Sequence, residues 1–184
     1  MNNIKRHIPN LLTLGNLLCG GIAITLVFQG QPKLGVYFIL IGLLCDFLDG
    51  FVARALKVSS PLGAELDSLA DLVTFGLFPS VLINDFLYQK TCNGDCNGLI
   101  PEVIYPYLGF VILLGSCYRL AKFNIDTEQT YHFKGVPTPI NCMFFCSLPF
   151  LMDYQDVVEW EYFSKVLLIV VYLQSFLLIS DRPF

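Results

Sequence analysis

Charge is what this sequence has least of. Among 184 residues there are 11 Lys and Arg and 15 Asp and Glu, whereas a soluble domain of this size would carry about a quarter of its residues charged. A water-covered surface is therefore excluded. Basic excess is also missing: the net charge of −4 leaves no cluster of cations to displace phosphate counterions, which rules out a nucleic-acid partner. Histidine occurs twice, so a zinc centre has almost no ligands to draw on. No internal repeat or low-complexity segment is present.

What remains is apolar. Hydrophobic residues make up 55% of the chain and the mean hydropathy is +0.63. A helix that spans a bilayer needs about 20 mostly apolar residues. Candidate spans of that kind run near 9–28, 35–56, 64–88, 102–121, 137–153 and 162–180, joined by short polar or Gly/Pro-containing links. The expected fold class is thus an all-α polytopic membrane bundle of about six helices, with residues 1–184 forming one membrane domain. The first run follows Lys5, Arg6 and His7 but is long and has no small-residue cleavage site at its end, so it reads as a retained span.

Orientation follows from the cations, which favour cytoplasmic loops. Lys5, Arg6, Arg54, Lys57, Arg119, Lys122, Lys134 and Arg182 fall on one side, and Lys33, Lys90 and Lys165 on the other. Both termini are expected in the cytoplasm. The segment with Asp153, Asp156, Glu159 and Glu161 then faces outward, as do Cys92 and Cys96. Five of the seven cysteines sit in apolar runs and read as small buried hydrophobes. For Cys92 and Cys96 a disulfide and two free thiols both stay open, the outward placement favouring the disulfide.

The informative residues are acids inside apolar runs, where an unpaired carboxylate costs a few kcal/mol. Asp46 and Asp49 stand at i, i+3 in the second span and Asp67 and Asp71 at i, i+4 in the third, so each pair shares a helix face. With the second span running inward to Leu56, Asp46 and Asp49 lie roughly 15 and 10 Å from its cytoplasmic end at 1.5 Å per residue. Asp67 and Asp71 lie roughly 6 and 12 Å along the outward third span by the same rise. Four carboxylates at similar depth make a site for a hard divalent cation such as Mg²⁺ or Mn²⁺, which takes oxygen ligands and relieves their repulsion. Gly50 and Ala53 form a small-residue patch beside them, open to another helix or a flat ligand. Arg54 and Lys57 follow at the membrane edge, placed to meet phosphate or to snorkel to headgroups. A cation transporter is the competing reading, since intramembrane acids also mark ion pathways.

The stretch Asp46-Phe-Leu-Asp49-Gly50-Phe-Val-Ala53-Arg54, followed by Gly63, Asp67 and Asp71, resembles the signature of the CDP-alcohol phosphatidyltransferases at all eight of its fixed positions. The resemblance implies a membrane enzyme that moves the phosphatidyl group of a CDP-linked lipid to an alcohol and releases CMP. On that family's pattern Asp46, Asp49, Asp67 and Asp71 hold the metal, Gly50, Ala53, Arg54 and Gly63 bind the CDP-lipid, and Asp71 is the general base. The flanks resemble the serine-using branch: Pro9-Asn10-Leu-Leu-Thr13-Leu-Gly-Asn16, Thr74-Phe75-Gly76, Tyr118-Arg119-Leu-Ala-Lys122-Phe-Asn124 and Gly135-Val-Pro137-Thr138-Pro139. The glycerophosphate-using branch usually has Arg where Asn16 stands.

That resemblance implies CDP-diacylglycerol and L-serine as substrates, Mg²⁺ or Mn²⁺ as cofactor, a homodimer, and an inner cell membrane with the active site facing the cytoplasm. Glycerol 3-phosphate or inositol phosphate are the alternative acceptors. Arg119, Lys122, Asn124 and Thr138 are the candidates for holding the acceptor or phosphate, although basic residues also commonly anchor a helix end. The unrelated phospholipase-D-like chemistry is excluded: His132-Phe-Lys134 imitates the start of its motif, but Pro139 stands where its Asp belongs. Relatives usually continue for further apolar helices beyond Phe184, which leaves a C-terminal truncation open.

Overall fold

A computed structural model describes residues 2–58, 60–92, 103–125, 135–151 and 162–180. All described regular structure is helical: α1 (Asn2–Phe28), α2 (Pro32–Leu56), α3 (Pro61–Asp71), a π-helical segment (Leu72–Leu77), α4 (Phe78–Cys92), a 3₁₀ segment (Tyr105–Phe110), α5 (Val111–Ile125), α6 (Thr138–Cys146), α7 (Leu148–Leu151) and α8 (Phe163–Ile179). Among the described residues, four helical stretches are long and apolar enough to cross a membrane: His7–Phe28, Pro32–Leu56, Pro61–Lys90 and Tyr105–Ile125. Two shorter apolar ones, Thr138–Leu151 and Phe163–Ile179, occupy the places of the fifth and sixth expected spans. The Cys92–Cys96 pairing and the acidic segment with Asp153, Asp156, Glu159 and Glu161 lie outside the described residues.

Local chemistry explains the turns. Gly30 adopts φ +72°, which a side chain would resist, and it closes α1 with Gly30 N–H on Val27 O at 2.9 Å and Gln31 N–H on Leu26 O at 2.8 Å. Pro32 then opens α2 where its missing N–H costs nothing. At the other end of α2, Lys57 takes the left-handed conformation and Val58 N–H reaches Ala53 O at 3.0 Å, a Schellman-type stop. Ser60 caps α3 by accepting from Gly63 N–H at 3.0 Å, with Pro61 as the first helical residue.

The stretch Pro61–Lys90 is the centre of the bundle: 56% of its apolar window is buried against 22–28% in the other three long helices. Its middle contributes Phe75, Phe78, Val81 and Leu82 to a cluster with Ala23, Val27, Val36, Ile39, Cys142 and Cys146. Its later part contributes Ile83, Phe86 and Leu87 to a second cluster with Ile112, Phe145, Leu167 and Val171. Close approach of α1 depends on Gly20, where an added Cβ would come within 2.9 Å of the Thr74 backbone. Large apolar side chains such as Leu11, Leu18, Phe47, Leu114 and Phe176 point outward, more than 60% exposed, as expected where lipid replaces water.

Candidate active site

The acids meet as the spacing predicts. Asp46, Asp49 and Asp67 offer carboxylate oxygens that all lie within 4.8 Å of one another. Asp71 stands beside this group, with Asp46 in hydrogen-bonding reach of both Asp67 and Asp71. The Asp49 and Asp71 side chains are buried. Three carboxylates this close repel one another strongly in a medium of low dielectric, so the arrangement asks for a counter-charge. Asp67 Oδ1 is buried and has no hydrogen-bond partner among the described residues. An all-oxygen donor set with an orphaned buried oxygen fits a hard divalent cation.

The first helix holds these acids in place, a role that the spacing of the acids does not reveal. It packs against both α2 and α3. Thr13 donates its hydroxyl to Asp49 Oδ2 at 2.5 Å, and Asn16 Nδ2 donates to Asp71 Oδ1 at 3.2 Å. Asn16 is itself fixed from behind, because Thr74 Oγ1 donates to its backbone carbonyl at 3.1 Å. Thr74 belongs to the π-helical segment that begins directly after Asp71. Such segments are rare and frequently lie at functional sites.

A cleft of about 200 Å³ opens beside the carboxylates. Pro9, Asn10 and Thr13 line it from α1, Asp49, Gly50 and Ala53 from α2, and Gly63, Ala64 and Asp67 from α3, with Val58 and Ser60 at the turn. The small residues matter for access: a Cβ at Gly63 would meet Ser60 Oγ at 3.1 Å and Asn10 Oδ1 at 3.3 Å. Arg54 is not part of this lining. Its guanidinium folds back over Gly50, where Nη1 would lie 3.4 Å from an added Cβ, and the residue is exposed.

The acceptor candidates are more dispersed. Arg119, half-buried on α5, interacts electrostatically with Asp71. Asn124 is exposed, and its Oδ1 accepts from Ser68 at 3.0 Å, which ties the end of α5 to α3 one residue past Asp67. Lys122 is half-buried on the same helix. Thr138 is buried at the start of α6. The structure thus brings Arg119 near the acids, while Asn124 sits at the exposed end of the helix.

The family model for CDP-alcohol phosphatidyltransferases matches residues 6–177. A CDP-diacylglycerol–serine O-phosphatidyltransferase of Bacillus subtilis is 37% identical over 145 residues, covering 78% of this chain and 76% of that protein. Proteins with the same name are 32% identical over 183 residues in Mycobacterium leprae, covering 96% of this chain and 57% of that one, and 34% identical over 149 residues in Saccharomyces cerevisiae, covering 72% and 50%. The chain therefore spans only about half the length of the latter two. Apolar helices, an intramembrane carboxylate cluster and a match over nearly the whole sequence converge: the chain belongs to the CDP-alcohol phosphatidyltransferase family of integral membrane proteins.

Proposed function

We propose that this protein transfers the phosphatidyl group of CDP-diacylglycerol to L-serine, giving phosphatidylserine and CMP. The observation that carries the reading is the convergence of Asp46, Asp49 and Asp67 within 4.8 Å beside a cleft floored by Gly50, Ala53 and Gly63. Small residues there let a flat nucleotide approach the backbone closely. Serine as acceptor rests on the names of the relatives in Bacillus subtilis, Mycobacterium leprae and Saccharomyces cerevisiae.

Asp46, Asp49 and Asp67 are the residues that would hold a divalent metal, with Asp71 adjoining. When bound, Mg²⁺ or Mn²⁺ supplies charge neutralisation of the diphosphate and polarisation of its phosphoryl oxygens. Arg54, lying over Gly50, meets a phosphate at the mouth of the cleft. Asp71 accepts the proton of the serine hydroxyl as its oxygen attacks the phosphorus that bears the diacylglycerol. The bond from that phosphorus to the bridging oxygen breaks, and CMP leaves without a covalent enzyme intermediate. Thr13 and Asn16 keep the Asp49 and Asp71 carboxylates oriented throughout. Arg119 and Lys122 draw anionic groups to the site.

The eight cations on one side against three on the other support a site on the cytoplasmic face of the cell membrane, with both termini inside. The family resemblance supports a homodimer as the working form. Purified protein given CDP-diacylglycerol, metal, and serine, glycerol 3-phosphate or inositol phosphate in turn should release CMP with serine; release with only a phosphorylated acceptor would assign it to another branch. Ion flux in proteoliposomes without CMP release would instead favour a transporter.

A further inference from the structure

A second group of polar side chains, outside the signature, is buried in α5, α6 and α8. Ser116 on α5, Thr138 and Asn141 on α6 and Ser175 on α8 are all at most 3% exposed. Ser116 Oγ, Thr138 Oγ1, both amide atoms of Asn141, Ser175 Oγ and the Arg119 Nε have no hydrogen-bond partner among the described residues. Elsewhere in the bundle the same residue types satisfy themselves. Ser80 donates to Gly76 O at 2.8 Å, Thr25 to Ile22 O at 2.7 Å and Ser147 to Phe144 O at 2.7 Å. Back-bonding to the preceding turn is thus the habit of exposed and buried hydroxyls here, and Ser116 and Ser175 depart from it.

Two of the helices that carry these residues, α5 and α6, pack on the π-helical segment after Asp71, and the third, α8, packs on both of them. An added Cβ at Gly115 would lie 3.3 Å from Ser175 O, so α5 and α8 touch at that level. Ser116 Cβ would be 3.2 Å from a Cβ at Gly76, which sets it against the π-helical segment. Cys142, next to Asn141, places its thiol 3.8 Å from Thr74 O. Val136 N–H on Leu177 O at 3.3 Å pins the start of α6 to the end of α8. Arg119 is one turn beyond Ser116 on α5, on the side of Asp71.

We infer that Ser116, Arg119, Thr138, Asn141 and Ser175 form the subsite for the acceptor, a small zwitterionic amino alcohol. The inference rests on the function proposed above and says where its second substrate is held. A carboxylate suits the Arg119 fork and the hydroxyl donors of Ser116 and Thr138. An ammonium group suits the oxygens of Asn141 and Ser175, which are acceptors left over in a desolvated place. The acceptor hydroxyl is then directed toward Asp71. Selectivity follows from the same desolvation: an alcohol lacking either charged group leaves these buried atoms unpaired, and such sites reject incomplete analogues strongly.

The test is a split in Michaelis constants, measured as CMP release by the full chain in detergent with Mg²⁺. In Asn141→Leu, which keeps the volume but removes both polar atoms, the KM for serine should rise at least about tenfold, and in Ser175→Ala about threefold, with the KM for CDP-diacylglycerol within about twofold of wild type. An unchanged serine KM in folded Asn141→Leu, or an equal rise for the CDP-lipid, overturns the subsite. Should Asn141→Leu not fold, Ser175→Ala and Ser116→Ala carry the same test. Failure of the function itself is visible beforehand, as a wild-type protein that releases no CMP with serine. The KM of whichever acceptor does elicit release is then read in the same variants, and no change there also overturns the subsite.

Discussion

Asn16 and Asp71, 55 residues apart in sequence, are joined across the packed helices by a hydrogen bond of 3.2 Å from the Asn16 amide to the Asp71 carboxylate. Asn16 is fully buried, and its backbone carbonyl is held in turn by Thr74. The proposed base therefore does not hang free on α3. It is aimed by a helix that contributes no acid to the site.

If that aim matters, Asn16→Leu should lower kcat by about 10–100-fold, the range typical for loss of an orienting partner, while the KM for CDP-diacylglycerol changes little. Steady-state CMP release read against both substrates checks it. An unaltered kcat would show that Asp71 is positioned without Asn16.

Thr13 stands in the same relation to Asp49, at 2.5 Å. Thr13→Val keeps the shape but removes the donor, and the concentration of Mg²⁺ giving half-maximal activity should rise about tenfold; Thr13→Ser should restore it. A titration of activity against metal distinguishes this from loss of folding, which excess metal does not rescue.

For the base itself, Asp71→Asn should retain binding of CDP-diacylglycerol and lose turnover, because the amide cannot take the serine proton. Equilibrium binding of the CDP-lipid and single-turnover CMP release give the two readings. Full turnover in this variant would remove Asp71 from that role.

Packing supplies a prediction about stability. A methyl group at Gly20 would come within 2.9 Å of the Thr74 backbone, an approach that forces α1 away from the π-helical segment. Gly20→Ala should cost about 1–3 kcal/mol, as overpacking of a tight interface does, and lower the unfolding temperature in detergent. Gly21→Ala is the control, since nothing lies within 4 Å of a Cβ there.

The pairs of acids were legible in the sequence because charge in an apolar run has few structural explanations and helical spacing fixes its direction. Asp46, Asp49 and Asp67 accordingly come within 4.8 Å of one another. The four longest spans were legible for the same reason, as unbroken apolar runs. Thr13 and Asn16 carried no comparable signal: one hydroxyl and one amide in an apolar helix are compatible with back-bonding, and only the packing of α1 against both α2 and α3 reveals what they touch. The π-helical segment was invisible too, since Leu72–Leu77 reads as part of one continuous apolar run and hydropathy does not tell a π-helical turn from an α-helical one. Arg54 is an intermediate case: the motif names it, but only the structure shows its guanidinium lying over Gly50, a residue of the cleft lining.

The central claim is that the three-carboxylate cluster is a metal site serving phosphatidyl transfer. It is tested most directly by measuring the incorporation of labelled serine into lipid by the purified chain with CDP-diacylglycerol, before and after chelation and with Mg²⁺ or Mn²⁺ restored. The account predicts labelled phosphatidylserine that disappears with chelator, returns with metal, and is lost in Asp49→Asn at every metal concentration. Labelled lipid formed equally well in chelator, or by Asp49→Asn, would contradict it.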